Sequence, residues 1–238
     1  MSERVAIVTG ASRGIGSRIA TDLLADGFKV VGIARSPISE WEVVDAAGFY
    51  QHVCDLTDES AVKRLFSEVR KQYGCLEVVV NNAGVFSSDL LLTASADRFA
   101  SVLQTNLLSA QIVTREAVKL MRPKGFGRVV SISSIATRVP VIGNALYATS
   151  KVALEELMGG FAVEFRSSGI TFNNVAISFV EDTGMVNALP STARASYEEK
   201  LLSPTALDMS QVMHAIRFLV APNAAPVTAQ TIVLGSPI

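Results

Sequence analysis

Tyr147 and Lys151 stand four residues apart in the run NALYATSKVALEEL, residues 144 to 157. On a helix this spacing places both side chains on one face, one turn apart, where both can address the same ligand. A free phenol has a pKa of about 10, too high to exchange protons readily near neutrality. A lysine charge at roughly 5 Å in an effective dielectric near 20 favours the phenolate by about 3 kcal/mol, or about 2 pH units, and burial opposes that shift. Such a pair could pass a proton to or from a substrate oxygen. A core tyrosine beside a lysine that snorkels to the surface would show the same spacing. Ser134 ends the run VVSISS thirteen residues earlier. Strand alternation sends Ser133 and Ser134 to opposite faces, so only one of them can meet a substrate.

A second stretch suited to chemistry is TGASRGIG, residues 9 to 16, between the apolar run VAIV and the first helical pattern. Gly10, Gly14 and Gly16 permit a tight turn and a close approach of backbone to a pyrophosphate, which the first N–H groups of the following helix would favour. An ordinary glycine turn is the competing reading of those residues taken alone. His52 and Cys54 alternate in HVCD, but only Cys75 and His214 could add familiar soft ligands. They are assigned to packing, and no metal is expected.

The elements that must hold these groups are legible as patterns. Short Val- and Ile-rich runs recur as VAIV, VVGI, EVVV, RVVSI, TFNNVAI and TIVL, as in strands buried on both faces of a parallel sheet. Between them lie helical spacings, with Ile15, Ile19 and Leu23 at i, i+4 and i+8. The βαβα alternation predicts an α/β fold: a doubly wound parallel sheet of about seven strands in one Rossmann-type domain, with ligands outside the carboxyl ends of the strands. Residues 178 to 208, with Pro190 and Pro204, are the least regular part and read as a substrate lid or a plain surface loop.

Composition agrees with a core-rich globular chain: 238 residues, 49% hydrophobic and 18% charged, with a formal net charge of −1. Dispersed Lys and Arg leave no basic footprint for nucleic acid or an anionic membrane. The start MSERVAIVTG has too short an apolar run for a secretion signal, and no run approaches a membrane span. A cytoplasmic location and a small-molecule partner are expected. The two cysteines form no disulfide framework.

Taken in order, TGASRGIG, CDLTD, NNAG, QTNLLSA, VVSISS and Tyr-x-x-x-Lys resemble the classical short-chain dehydrogenase/reductase family, including its 3-oxoacyl-carrier-protein reductase-like members. The resemblance runs from residue 5 to about residue 235. It implies a nicotinamide cofactor held by Gly10, Ser12, Arg13, Gly14, Ile15 and Gly16. Asp55 and Leu56 would lie near its adenine, and Asn82, Ala83 and Gly84 against the cofactor. Asp55 by itself would read equally as a turn residue or helix cap. The family's chemistry would make Tyr147 the general acid/base and Ser134 the hydrogen-bond donor to the carbonyl oxygen. Lys151 would also hold the nicotinamide ribose, and Asn106 would position a water leading to Lys151. Thr183 aligns with a threonine that contacts the carboxamide only if one residue is inserted. A homotetramer or dimer is implied as well, with the helix of residues 145 to 168 at an interface.

Four positions stand out against the family pattern. Ala34 ends the second strand where NAD-dependent members carry an acid; with Arg35 beside it and Arg13 in the glycine turn, NADP(H) is favoured over NAD(H). Solvated surface charge is the bland reading of both arginines. Ile177 and Ser178 replace Pro-Gly, and Ala229 stands where glycine is common. Phe86, Val139, Ile142, Leu146, Phe179 and Met185 are expected beside the substrate and favour an apolar ketone or 3-oxoacyl compound. A non-catalytic NADP(H)-binding redox sensor, and a Rossmann-like scaffold without cofactor, are the rival readings.

Overall fold

A computed structural model describes residues 3–37, 47–180, 198–202 and 206–235. Its strands are β1 (Val5–Thr9), β2 (Lys29–Ala34), β3 (Phe49–Val53), β4 (Val78–Asn81), β5 (Gly127–Ser134), β6 (Ile170–Ile177) and β7 (Thr231–Val233). They form one parallel sheet in the order β3-β2-β1-β4-β5-β6-β7. The order reverses between β1 and β4, which opens a crevice at the carboxyl ends of those strands. The expected seven-stranded, doubly wound α/β fold is present.

Helices α1 (Gly14–Ala25), α2 (Glu59–Tyr73), α3 (Ala96–Leu103), α4 (Ser109–Met121), α5 (Ala145–Glu164) and α6 (Met209–Val220) cover the sheet. Alternate residues of β1 feed opposite cores. Val5 and Ile7 pack on the side of α2, α4 and α5, whereas Ala6 and Val8 pack on the side of α1 and α6. Burial on both faces is the physical reason these strands read as continuous apolar runs. Local signals bound α2, where the Asp58 side chain accepts from Ser60 N and Ala61 N and Gly74 closes the helix in the left-handed conformation.

Helix α5 stops at Glu164, short of the expected residue 168. Phe165 leaves helical geometry, Ser168 N donates to Phe165 O at 2.9 Å, and Gly169 takes a positive φ to start β6. Most of the segment from 178 to 208 lies outside the described residues, Thr183 and Met185 included. Its described ends are tied together: Leu207 N donates to Phe179 O at 2.7 Å, and Val180 forms a bridge with Leu207.

Ala229 is the one described non-glycine residue with a positive φ, 57°. Its N–H donates to Phe172 O at 2.8 Å, which holds the turn before β7 in place. A Cβ in this conformation costs about 1 kcal/mol relative to glycine, and the greater freedom of an unfolded glycine offsets part of that. Ala229→Gly is expected to raise unfolding stability by about 0.5 kcal/mol, seen as a higher urea midpoint at unchanged slope.

Candidate active site

The glycine turn sits at the crevice. Gly10 has φ +68°, and a Cβ there would come within 2.9 Å of the Ala83 Cα. A Cβ on Gly16 would strike the Gly10 carbonyl oxygen at 2.2 Å. These two positions cannot carry side chains without moving backbone. Gly14, φ +58°, has open space where its Cβ would be, and Arg13 provides no side-chain cap to the first turn of α1. The start of α1 thus presents backbone N–H groups at an open face. Ser12 and Ile15 are half-buried beside it, and Arg13 is exposed.

Thr9, a residue with no assigned role in the sequence reading, joins this turn to the end of β4. Its Oγ1 accepts from Asn82 N and Ala83 N, both at 3.0 Å. Asn82 Nδ2 in turn donates to Thr9 O at 3.0 Å and to Gly10 O at 3.3 Å. The Thr-Gly pair at the strand end was the available signal. Asn81 stays in the core, where Nδ2 donates to Thr114 Oγ1 at 2.9 Å and Ser131 Oγ at 3.3 Å.

Asp55 forms a local turn: Oδ1 accepts from Thr57 N at 2.9 Å and from Thr57 Oγ1 at 2.8 Å. These bonds, and more weakly the Arg35 charge, hold its carboxyl below the usual carboxylate range. Leu56 is buried next to it. Ala34 is buried at the end of β2, and Arg35 follows, exposed. His52 lies 3.7 Å from Glu68, while the buried Cys54 Sγ faces the Asp55 carbonyl at 3.6 Å.

The proton-bearing groups converge at the ends of β5 and α5. Ser134 Oγ is partly accessible and accepts from Ala136 N at 3.2 Å. Ser133 points the other way, into a 2.5 Å bond from its Oγ to Glu155 Oε1 on α5. Tyr147 and Lys151 are both buried. Lys151 Nζ sits 5.8 Å from the centre of the Tyr147 ring and donates to the Ile132 carbonyl at 2.8 Å. Burial pushes the Lys151 amine down to about 8, against the raising effect of Glu155. An amine that titrates near neutrality beside a phenol is suited to proton transfer. Phe86 packs edge-on to the Tyr147 ring, with centroids 5.2 Å apart.

Asn106 lies in a π-helical turn, Gln104–Leu108, between α3 and α4, an irregularity frequent at functional sites. Its Oδ1 accepts from Val85 N at 2.7 Å, while Nδ2 donates to Val85 O at 3.0 Å and Ser150 Oγ at 2.9 Å. Ser150 Oγ donates to Tyr147 O at 2.6 Å, which links Asn106 to the first turn of α5. A Cβ on Gly84 would lie 3.2 Å from Asn106 Oδ1 and 3.5 Å from Lys151 Nζ. The exposed Gly84 therefore leaves the approach to both groups clear.

The apolar residues assigned to the substrate divide into two groups. Val139 and Phe179 are buried with Ile135 and Leu201 in a small cluster, and Leu146 is buried as well. Ile142 is 86% exposed, so it can only meet a ligand at the rim. Ser178 follows β6 without a left-handed backbone. Its hydroxyl is buried and has no hydrogen-bond partner, and it occupies the space a Cβ on Gly235 would need. A side chain in place of the usual glycine is accommodated because the neighbouring position has none.

Comparison with known proteins supports what this geometry suggests. The chain is 32% identical over 231 residues to the 3-oxoacyl-[acyl-carrier-protein] reductase FabG of Salmonella typhimurium, covering 96% of this chain and 94% of that one. It is also 32% identical over 229 residues to the 3-oxoacyl-[acyl-carrier-protein] reductase MabA of Mycobacterium avium, covering 96% and 87%. Its structure matches the crystal structure of a putative gluconate dehydrogenase from Agrobacterium tumefaciens with a TM-score of 0.91 and 26% identity, over 98% and 95% of the two chains. With residues 4–194 matching the short chain dehydrogenase family as a whole, this protein is a member of that family and an oxidoreductase.

Proposed function

We propose that the protein is an NADP(H)-dependent reductase of an apolar ketone or 3-oxoacyl compound, with Tyr147 as the general acid. The observation that carries this reading is the buried Lys151 amine, held by the Ile132 carbonyl one helical turn from Tyr147 and reached past the bare Gly84. The cofactor site fits a dinucleotide: Gly10 and Gly16 admit backbone where a Cβ would collide, and Gly14 leaves the uncapped start of α1 open. Ser12, Ile15, Leu56, Asn82 and Ala83 would line it, and Thr183 remains the expected carboxamide contact. Bound NADPH supplies the hydride.

Tyr147 gives its phenolic proton to the carbonyl oxygen while Ser134 Oγ donates a second hydrogen bond to it. Lys151 stabilises the phenolate left behind and is placed to bond the ribose. Asn106 Oδ1 accepts one bond, from Val85 N, which leaves a lone pair for a water facing Lys151 across Gly84. Phe86 against Tyr147 and the exposed Leu91, Leu92 and Ile142 supply an apolar approach. That favours the 3-oxoacyl class named for the sequence relatives over the gluconate named for the structural one. Val152 and Val163, both exposed on one face of α5, support self-association through that helix as a dimer or tetramer.

The preference for NADP(H) rests on Arg35, exposed beside the acid-free end of β2, with Arg13 exposed in the turn. A charge-assisted bond to the 2′-phosphate is worth about 2 kcal/mol, or about thirtyfold. Arg35→Asp is therefore expected to raise the NADPH KM about thirtyfold and leave that for NADH within about threefold. The assay follows nicotinamide absorbance with 3-oxoacyl thioesters, aliphatic ketones and quinones. Equal effects on both cofactors would remove the NADP(H) assignment. Tight NADPH binding without oxidation by any of these carbonyls would favour the redox-sensor reading, and no binding would favour the scaffold.

A further inference from the structure

A buried acid on α5 has no role in the chemistry described so far. Glu155 follows Lys151 by four residues on the same helix face, and its side chain is only 11% exposed. Oε1 accepts from Ser133 Oγ at 2.5 Å, and Oε2 accepts from Arg138 Nη2 at 2.8 Å. Arg138 belongs to the segment just after β5 and also donates from Nη1 to Thr137 Oγ1 at 2.8 Å. Three consecutive residues of β5 are thus engaged in turn. Ile132 O accepts from Lys151, the Ser133 hydroxyl donates to Glu155, and the half-buried Ser134 accepts from Ala136 N at the strand end.

We propose that Glu155 is the counter-charge and positioning residue of the Tyr147–Lys151 pair. By holding Ser133 it sets the rotation of β5 that turns Ser134 toward the substrate oxygen. By its charge it keeps the buried amine protonated, so that Tyr147 has a cation to stabilise its phenolate. The inference rests on the reductase reading above. Among the described residues, a neutral side chain at position 155 would leave the head of Lys151 beside neutral groups, the Ile132 carbonyl from β5 and Tyr147 on α5. Asn106 Oδ1 from the π-helical turn lies with it beside the bare Gly84. Among the described residues, Arg138 is the cation on the far side of Glu155 and partly offsets its field.

Side chains one helical turn apart lie about 6 Å from each other, a spacing at which opposite charges in an effective dielectric near 20 move each other's titration by about 2 pH units, and Arg138 reduces that to about 1. The test is a titration of the Lys151 side chain by NMR in the full chain carrying labelled lysine, assigned with Lys151→Met. Glu155→Gln is expected to lower the Lys151 midpoint by about one pH unit. Arg138→Gln is expected to raise it, and Glu155→Asp, which keeps the charge but loses reach to Ser133, to leave it near the wild-type value. The alkaline limb of kcat/KM for carbonyl reduction should move with the midpoint, because loss of the acid favours deprotonation of both Lys151 and Tyr147.

A midpoint unmoved in Glu155→Gln, or moved as far in Glu155→Asp, would overturn the proposal. Should Glu155→Gln fail to fold, the absence of an upward shift in Arg138→Gln would do the same. The titration needs neither substrate nor cofactor. Absence of turnover would therefore count against the reductase reading alone, and an unmoved midpoint against the role of Glu155 alone.

Discussion

Tyr147→Phe is expected to lower kcat for carbonyl reduction by about 10³-fold while the dissociation constant for NADPH changes by less than about twofold. The substitution removes one oxygen from a buried ring whose edge-on contact with Phe86, centroids 5.2 Å apart, needs only the ring itself. Lys151 keeps its bond to the Ile132 carbonyl, and Ser150 keeps its bond to the main chain of residue 147. The site is left in shape without its acid. General acid catalysis contributes about 10² to 10⁴ in rate, and the neighbouring Ser134 hydroxyl is too weak an acid to substitute. Stopped-flow fluorescence of bound NADPH, alongside steady-state turnover, separates binding from chemistry. Residual turnover of about a tenth of the wild-type rate would exclude Tyr147 as the acid.

Arg128→Met is expected to lower unfolding stability by about 4 kcal/mol, seen as a large fall in the urea midpoint at unchanged slope. Arg128 is 1% exposed at the amino end of β5, the opposite end of the sheet from the active site. Its guanidinium donates to four main-chain carbonyls: Gly127 O at 2.8 Å, Gly169 O at 3.2 Å, Ala221 O at 3.2 Å and Pro222 O at 3.0 Å. Ala221 and Pro222 follow the last residue of α6, so the cation also meets the negative end of that helix. The ring of Phe126 stacks against it, 4.2 Å from the guanidinium carbon. Burial pulls the guanidinium pKa down, yet arginine stays charged, since four carbonyls accept from it and an aromatic face covers it. Methionine fills much of the volume but removes the guanidinium donor from all four carbonyls; Ala221 O keeps the Ala224 N–H at 3.1 Å, and each carbonyl left unpaired costs about 1–3 kcal/mol before water enters. Turnover per folded molecule is expected to stay near the wild-type level, because the site lies at the other end of the strands. A stability loss below about 1 kcal/mol would show that the four bonds contribute little net energy.

Several features could be read from neighbouring residues alone, because their causes are local. Ile19 and Leu23 are buried as their helical spacing required, and Asp58 and Gly74 bound α2 as a cap and a glycine stop should. The doubly wound sheet followed from handed crossovers, and the continuous Val-rich runs followed from burial on two faces. Gly10, Gly14 and Gly16 were found through the backbone freedom their turn demands. Asp55, expected near the adenine, also forms a turn with a residue only two positions away.

Other features were not legible. The run VVSISS contains Ser133 and Ser134 side by side, and strand alternation says that they diverge but not which way each points. The family resemblance assigned Ser134 to the substrate, whereas the bond from Ser133 to Glu155, a residue on a different element whose sequence gives it the look of one more surface acid, shows only in the structure. Thr9 gained its role only when β4 was laid beside β1, which brought its hydroxyl to the backbone of Asn82 and Ala83. Ile177 and Ser178 in place of Pro-Gly looked like a defect in the chain, and the side chain fits because Gly235 leaves it room from β7's far end.

By itself, then, the sequence determined the class of fold, the phosphate-type turn and the presence of a tyrosine and a lysine on one helix face, since periodicity and glycine geometry act over a few residues. Tertiary structure alone decided that Lys151 is buried against the Ile132 carbonyl and that the Ser133 hydroxyl is bonded to Glu155. Those outcomes depend on desolvation and on hydrogen bonds between β5 and α5, segments that only the parallel crossover brings within reach of each other.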